Sequence, residues 1–251
     1  MPSKPQIKLI RSLHLKKFRN EYNLFVAEGS TNVLDLLNSP FNLQWLFARE
    51  LWIEKFEDKL HDYDVQTVSG KEMEMMSHLK SASEVLAVFK LPELPAFDPN
   101  GIEDYILALD NIKDPGNLGT IIRTADWFGI DTIICTQETV DVYNPKVIQA
   151  SMGSLARVRV HYLDLESVLS EVPTDIDVYG AYLYDDPVSS IEKKGKGIIL
   201  IGSEAHGISK DYLSLITHKV TIPSFAKGKS GAESLNAAIA TSILCYEFKR
   251  G

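Results

Sequence analysis

The sequence has little cysteine and no long apolar run, and both shortages limit what the protein can be. Only two of its 251 residues are cysteines, Cys135 and Cys245, and each lies inside an apolar stretch. Two distant cysteines suit neither a disulfide framework nor a zinc site, so we expect core thiols in a reducing compartment. No stretch reaches the roughly 18 to 20 apolar residues that span a bilayer. The composition predicts a soluble, cytoplasmic protein with no metal and no membrane partner.

Basic charge is also scarce. Lys and Arg number 26 against 34 Asp and Glu, and the formal net charge is −8, whereas a nucleic-acid partner normally requires a basic surface. The first twenty residues are the exception, because they hold six basic residues and no acid: Lys4, Lys8, Arg11, Lys16, Lys17 and Arg19. This segment is predicted to be a basic helix that contacts phosphates, although a basic terminus can also be merely solvated.

A proline-rich stretch, LPELPAFDPNGIED at 91–104, divides the chain. We predict a first domain over 1–92, a linker over 93–104 and a second domain over 105–251. In the second domain, strand-like runs alternate with helical patterns, which indicates an α/β fold with a mostly parallel sheet covered on both faces. The predicted strands are 105–110, 131–136, 157–163, 177–183, 197–203 and 219–224. The predicted helices begin near Asn117, Pro145, Leu165, Ser209 and Ser234.

Ligand sites in such sheets form beyond the carboxyl ends of the strands, which directs attention to three loops. The first follows Asp110, where Asn117 is a plausible helix cap and Arg123 lies inside the helix. A capping Asn and a solvated Arg are the simplest interpretation, although Gly116 and Gly119 at a helix start also resemble a phosphate cradle.

The second loop places Glu204 directly past a buried strand, as expected of an active-site carboxylate or of an acid that stabilises a turn. The third loop leads to an apolar helix for which Ser234 is a natural cap, whereas Asn236 is a poor helix former there. The GKS at 228–230 is not a P-loop, because Pro223 stands where that motif needs its first glycine. A G-x-G-x-x-G dinucleotide fingerprint is absent from the sequence as well.

Taken in order, DPGNLGTIIRTAD, LIGSEAHGIS and IPSFAKGKSGAESLNAAIA resemble the three motifs of the SpoU-type (TrmH-like) RNA 2′-O-ribose methyltransferases of the SPOUT superfamily. The resemblance covers residues 105–247. Residues 4–90, with LKKFRNEYNLFVAEG, look like the small α/β RNA-binding domain often fused ahead of this fold, which is related to ribosomal proteins.

The resemblance implies a deep trefoil knot, a homodimer and S-adenosylmethionine as the cofactor. The positions that would bind the cofactor through their backbone are Gly202, Ile222 and Leu235, with Gly202 small so that the chain can approach the adenosine. The implied catalytic set is Asn117, Arg123, Glu204, Ser234 and Asn236. Arg123 would clamp a phosphate, and Glu204 could hold Arg123 through an ion pair. The RNA-binding residues would then be Lys8, Arg11, Lys16, Lys17 and Arg19.

Two departures from the family pattern concern Ala205, where a glycine is usual, and a long third-loop insertion over 224–233 that could be a lid or an RNA contact. The leading interpretation is transfer of a methyl group to a ribose 2′-hydroxyl of structured RNA, with ribosomal RNA favoured over transfer RNA. The alternatives are a catalytically inactive RNA-binding or ribosome-assembly protein with the same fold and, with less support, an unrelated nucleotide-dependent enzyme such as an oxidoreductase.

Overall fold

The computed structural model describes residues 2–226 and 233–250. Its helices are α1 (Lys4–Ser12), α2 (Lys16–Tyr22), α3 (Ser30–Leu37), α4 (Glu50–Lys55), α5 (Gly70–Met76), α6 (Pro115–Trp127), α7 (Pro145–Ser151), α8 (Leu165–Glu171) and α9 (Ala237–Lys249). Its strands are β1 (Leu24–Glu28), β2 (Leu43–Ala48), β3 (Val65–Thr67), β4 (Val85–Lys90), β5 (Tyr105–Leu109), β6 (Thr132–Cys135), β7 (Arg159–Tyr162), β8 (Asp177–Tyr182), β9 (Asp186–Pro187), β10 (Gly197–Ile201) and β11 (His218–Thr221).

These elements form two compact units. The first contains the chain up to Glu93 together with Asp141–Ala156, and the second contains Leu94–Val140 and the chain from Arg157 onward. The segment Asp141–Ala156 is thus separated in sequence from the rest of its unit. Its helix α7 packs on β1, and the Tyr143 ring lies 4.9 Å from the Phe25 ring, centroid to centroid. The contact units therefore differ from the predicted domains by this segment, and the domain boundaries stay a prediction.

The first unit is built on a four-stranded sheet in the order β1-β4-β2-β3. The predicted basic helix is two helices in the structure. Ser3 caps α1 by accepting from the backbone of Gln6, whose side chain accepts from the Ser3 backbone in return, which is a capping box. Asn23 adopts a left-handed conformation with φ of 54° and ends α2, as Asn tolerates more readily than most residues.

The second unit is built on a seven-stranded sheet in the order β7-β6-β5-β10-β8-β11-β9, in which every pairing is parallel. The six strands predicted for this domain are therefore confirmed. Strands β5 and β10 are buried along their whole length, as expected for central strands of a parallel sheet. The chain leaves β5 toward β6 on one side and β10 lies on the other, so the strand order reverses between these two neighbours.

Both cysteines are buried and unpaired by any disulfide, and burial raises the pKa of each thiol. Within the described ranges, none of the helices is long and apolar enough to cross a membrane. The predicted helix at Ser209 is a 3-10 helix over Lys210–Leu215, capped by the Ser209 side chain. Most of the third-loop insertion, including Lys227 and Lys229, lies outside the described residues.

Candidate active site

The three candidate loops follow β5, β10 and β11, whose carboxyl ends lie at one edge of the parallel sheet. The first two loops are direct neighbours, because Leu109 at the end of β5 is in register with Ile201 at the end of β10. Asp110 joins them: its backbone N–H donates to the Ile201 carbonyl over 2.8 Å, and its carboxylate accepts from the Ser209 N–H over 2.7 Å. This edge is also the point where the strand order reverses, which is where ligands bind in open α/β sheets.

Asn117, Glu204 and Asn236 form one hydrogen-bonded chain, called here the amide–carboxylate cluster. The Asn236 side-chain amide donates to Asn117 Oδ1 over 2.9 Å. The Asn117 amide in turn donates to Glu204 Oε1. One residue from each of the three loops therefore meets at this edge, although Asn117 lies 87 residues before Glu204 and 119 residues before Asn236 in the sequence.

The position of Asn117 differs from the prediction that it caps α6. The cap is Asp114, whose carboxylate accepts from the Asn117 backbone N–H over 2.8 Å, with Pro115 as the first helical residue. Aspartate is as good a helix cap as asparagine, and Pro suits the first turn because its missing N–H would be unpaired anyway. The Asn117 side chain is consequently released from capping and bonds Glu204 and Asn236.

The start of α9 also differs from the prediction, because the helix is capped by Asn236 and not by Ser234. Asn236 Oδ1 accepts from the backbone N–H groups of Ala238 and Ile239 over 3.0 and 3.3 Å. Asn236 thus performs two tasks, since its oxygen caps the helix while its amide group donates to Asn117. Ser234 lies in an exposed bend two residues earlier and makes no hydrogen bond to the described residues.

Arg123 lies on α6, six residues after Asn117, and is exposed. Its guanidinium makes no hydrogen bond or ion pair within the part of the chain that the structure describes. The structure forms no ion pair between Arg123 and Glu204 among the described residues, and the Glu204 carboxylate accepts from Asn117. A helical arginine six positions after Asn117 points to a different face of the helix, because 3.6 residues make one turn.

Gly202 is required to be small by the packing of its own loop, whether or not a ligand is bound. A Cβ at Gly202 would lie 2.0 Å from the Gly207 carbonyl carbon and 2.2 Å from the Ile208 nitrogen. The loop after β10 folds back on itself, since Ser203 and Gly207 exchange two backbone hydrogen bonds of 3.1 and 2.8 Å. The close approach at Gly202 is thus to the loop's own backbone. Ala205 lies exposed within this turn.

The three predicted cofactor positions have one feature in common, which is a backbone N–H or carbonyl group without a hydrogen-bond partner among the described residues. Gly202 and Ile222 are the first residues past β10 and β11, and Leu235 precedes the cap Asn236. None of the three forms a backbone hydrogen bond to another described residue. Ile222 and Gly202 are half-buried, whereas 45% of Leu235 is exposed. Backbone groups of this kind can hold a small polar ligand without any side chain.

Asp110 was not predicted as a site residue, because the sequence pattern places it at the last position of the predicted strand 105–110. It is only 6% exposed, and burial raises its pKa while the hydrogen bond from Ser209 opposes this rise. A buried carboxylate must be hydrogen-bonded to be tolerated, so Asp110 fixes the base of the second loop. The only hint in the sequence is an acid immediately after an apolar strand, the same signal that Glu204 gives.

The predicted RNA-binding residues of the first unit separate into two groups. Lys8, Arg11, Lys16 and Lys17 are exposed. Arg19 is only 2% exposed, and its guanidinium donates to Asp141 and to the carbonyls of Leu13 and His14. The prediction that Arg19 contacts RNA is wrong, because its donors are already used inside the unit.

The parallel sheet and the site at its strand ends define a class of α/β protein to which solved RNA methyltransferases also belong. The structure matches that of a TrmH-family protein from Porphyromonas gingivalis with a TM-score of 0.86, at 35% identity, covering 100% of this chain and 99% of that one. It also matches the AdoMet-bound rRNA methyltransferase from Sinorhizobium meliloti with a TM-score of 0.84, at 29% identity over 98% and 95% of the chains.

The chain belongs to the SpoU rRNA Methylase family, whose model matches residues 104–246. The model of the MRM3-like substrate binding domain matches residues 4–87. Among characterised relatives, the chain is 27% identical to the 23S rRNA (guanosine(2553)-2′-O)-methyltransferase RlmP of Bacillus subtilis, over 97% of this chain and 96% of that protein. It is 25% identical to the mitochondrial rRNA methyltransferase 3 of Mus musculus, over 94% and 69%. The family resemblance predicted from the three motifs is confirmed.

Proposed function

We propose that this protein transfers a methyl group from S-adenosylmethionine to a ribose 2′-hydroxyl of structured RNA, with ribosomal RNA favoured over transfer RNA. The observation that carries the proposal is the amide–carboxylate cluster, in which one polar residue from each family motif meets at the carboxyl edge of the sheet. The relatives named above support it, since RlmP is a 23S rRNA 2′-O-methyltransferase.

The residues at this edge fit the cofactor. The free backbone groups of Gly202, Ile222 and Leu235 would hold S-adenosylmethionine through main-chain hydrogen bonds. The AdoMet-bound neighbour of the same fold supports this assignment. When bound, S-adenosylmethionine supplies an electrophilic sulfonium methyl group, so the protein's own residues must bring the ribose hydroxyl in line with it and assist loss of its proton.

Arg123 is the residue we assign to the RNA side of the reaction. Its guanidinium is exposed and has no partner among the described residues, and a planar guanidinium donates two parallel hydrogen bonds to a phosphate. A guanidinium does not deprotonate in proteins, so Arg123 is not the base. It fixes the phosphate next to the ribose and stabilises the alkoxide as it forms, while a phosphate oxygen or a bound water accepts the proton.

The amide–carboxylate cluster orients the reactants. Asn117 lies between two partners, so its amide plane is fixed by Glu204 on one side and Asn236 on the other. We assign to these three residues, together with the exposed Ser234, the orientation of the ribose and of the methionine end of the cofactor. The cluster can do this because its members are tied to a strand end and two helix starts.

We also propose the knot that the family resemblance implies. Three residues, 183–185, connect β8 to β9, and these two strands pair with opposite sides of β11. This connection therefore crosses the end of β11, where the Thr221 hydroxyl donates to the Leu183 carbonyl over 3.0 Å. A chain that continues from β11 past such a crossing supports a threaded arrangement, which is rare in proteins.

A homodimer and a cytoplasmic location complete the proposal. The packed helices α6 and α9, joined by the Thr124 and Ser242 hydroxyls at 3.0 Å, expose large apolar side chains. Trp127 is 85% exposed, Ile239 51% and Tyr246 54%. Exposed apolar surface of this kind marks association sites, and a second copy of this chain is the partner that the family resemblance implies. The exposed Lys8, Arg11, Lys16 and Lys17 remain candidates for RNA contact.

The test is methyl transfer from radiolabelled S-adenosylmethionine to ribosomal and transfer RNA, with wild type, Arg123→Ala and the control Arg159→Ala. Arg159 is an exposed arginine of the same unit, paired with Asp131. We expect Arg123→Ala to lower kcat by about a hundredfold or more, with cofactor affinity by calorimetry and the turnover of Arg159→Ala unchanged.

Unchanged turnover of Arg123→Ala would refute its role. A wild-type protein that binds RNA but neither binds the cofactor nor transfers methyl groups would favour the alternative of an RNA-binding or ribosome-assembly protein. Mapping 2′-O-methyl positions in RNA from cells with and without the protein would then identify the substrate nucleotide.

A further inference from the structure

The first unit contains a cleft at the edge of its sheet where β2 and β3 end and β4 begins. Its volume is about 320 Å³, and its walls include Arg49, Glu74, Lys80, Ser81 and Ser83. Arg49 follows the last residue of β2, and its backbone N–H donates to the Glu84 carbonyl over 2.9 Å, so the base of the arginine is fixed to the loop that precedes β4. The residues 80–83 form one wall of the cleft.

The charged groups of the cleft are free to bind a ligand. Arg49 and Lys80 are exposed, and neither side chain makes a hydrogen bond or an ion pair to any residue that the structure describes. Glu74 lines the cleft but pairs with neither cation. By contrast, Lys55 and Lys59, on the same unit, lie over the Phe56 ring at 5.2 and 6.0 Å from its centroid.

The backbone adds further donors. The N–H groups of residues 80–83 donate to no acceptor in the described part of the chain, although the neighbouring Leu79 N–H donates to the Ser77 hydroxyl. The Ser83 hydroxyl donates to the Val85 carbonyl over 2.6 Å, so the end of this loop is fixed to β4. Two unpaired cations and a run of unpaired N–H groups around one cleft are the donor set that binds phosphate.

The loop that forms one wall of the cleft also contacts the basic helix α1 and the residues that follow it. His78 joins them, because its Nε2 lies 3.2 Å from the Ile10 carbonyl and its ring lies 5.6 Å from the His14 ring. Arg11, exposed on the last turn of α1, is close enough to lower the pKa of His78, together with burial as the main cause. Exposed cations therefore occur both at the cleft and on the helix that its wall loop contacts. Cations on two contacting segments suit a polyanion better than a single small anion.

We infer that this cleft binds the phosphate backbone of the substrate RNA through Arg49, Lys80 and the N–H groups of residues 80–83. The inference rests on the proposed function for the identity of the polyanion. Contacts of this type carry no base information, so their effect is to place the RNA on the first unit. The reacting ribose is then selected by RNA shape and by the catalytic unit.

The experiment measures RNA affinity of the full chain by fluorescence anisotropy over a range of salt concentrations, with a transcript that the wild type methylates. The variant Arg49→Ala/Lys80→Ala is compared with the control Lys55→Ala/Lys59→Ala, which loses the same charge on the same unit. We expect Kd to rise about tenfold or more near physiological salt and the salt slope to fall by about two for the cleft variant. In methyl transfer, KM for RNA should rise while kcat and cofactor affinity stay unchanged.

Equal RNA affinity and slope for the cleft variant and the control would overturn the inference. A second variant, Arg49→Gln/Lys80→Gln, removes the two charges but keeps polar side chains. If it did not reproduce the rise in Kd, the inference would also be overturned. If inorganic phosphate at low millimolar concentration bound the wild type but not the cleft variant, while both proteins bound RNA equally, the cleft would be a site for a free anion and the inference would be refuted. Failure of the wild type to methylate any RNA would refute the proposed function alone, because binding to total ribosomal RNA still tests the cleft.

Discussion

Helix α2 of the first unit and helix α6 of the second each carry one arginine, and the two side chains have opposite surroundings. Arg19 is 2% exposed and donates to Asp141 and to two carbonyls. Arg123 is exposed, without a protein partner among the described residues. A buried guanidinium must have all its donors satisfied, so Arg19 stabilises its unit. The donors of Arg123 remain available, so Arg123 can act on a ligand.

Removing Arg19 should give the largest loss of stability, because it leaves the Asp141 carboxylate without its partner. We expect Arg19→Ala to lower the free energy of unfolding by about 3 to 5 kcal/mol, measured by urea denaturation. Lys17→Ala, two residues earlier and exposed, should change it by less than about 0.5 kcal/mol. Comparable losses of stability for the two variants would show that a buried, hydrogen-bonded cation and an exposed cation do not differ in their contribution to folding.

Asn236 combines both uses of a polar side chain, so its variants sharpen the comparison. Asn236→Ala loses the cap of α9 and should cost about 1 kcal/mol of stability. Asn236→Ser keeps an oxygen that can cap the helix, but lacks the amide that donates to Asn117. We therefore expect Asn236→Ser to unfold at nearly the wild-type urea concentration yet to turn over slowly, like Asn236→Ala. Wild-type turnover of Asn236→Ser would show that the amide does not position Asn117.

Much of the second unit could be predicted from the sequence, because its signals are local. Buried parallel strands are short apolar runs between helical patterns, and all six predicted strands are present. The three loops could be paired with the site because carboxyl ends of parallel strands share one edge. The family motifs added the identity of Asn117, Glu204 and Asn236, and the structure brings these three together.

The errors concern choices that local sequence leaves open. Asp114 and Asn117 can both cap α6, and Ser234 and Asn236 can both cap α9, because Asp, Asn and Ser are nearly equivalent caps. The burial of Arg19 depends on Asp141, which lies 122 residues away, and no local pattern indicates such a partner.

Substitution of Glu28 in the first unit should have the smallest effect on stability. It tests whether a buried polar group of this unit affects stability alone and leaves methyl transfer unchanged. Its carboxylate is 5% exposed and accepts from the Ser77 hydroxyl over 2.5 Å and the His78 N–H over 2.8 Å. Burial raises its pKa above the ordinary value of 4.5, and the two hydrogen bonds oppose the rise. The protonated form is therefore favoured by folding.

A raised folded-state pKa contributes stability that is present below the unfolded value and lost as pH rises through the folded value. Glu28→Gln does not titrate and keeps an oxygen for the His78 N–H, so the variant should gain stability relative to wild type between pH 5 and pH 7.5, by less than about 1 kcal/mol. Urea denaturation of both proteins at the two pH values measures this difference, with methyl transfer expected to stay at the wild-type level. A difference that is independent of pH would mean that Glu28 is charged throughout and that the hydrogen bonds from Ser77 and His78 outweigh its burial.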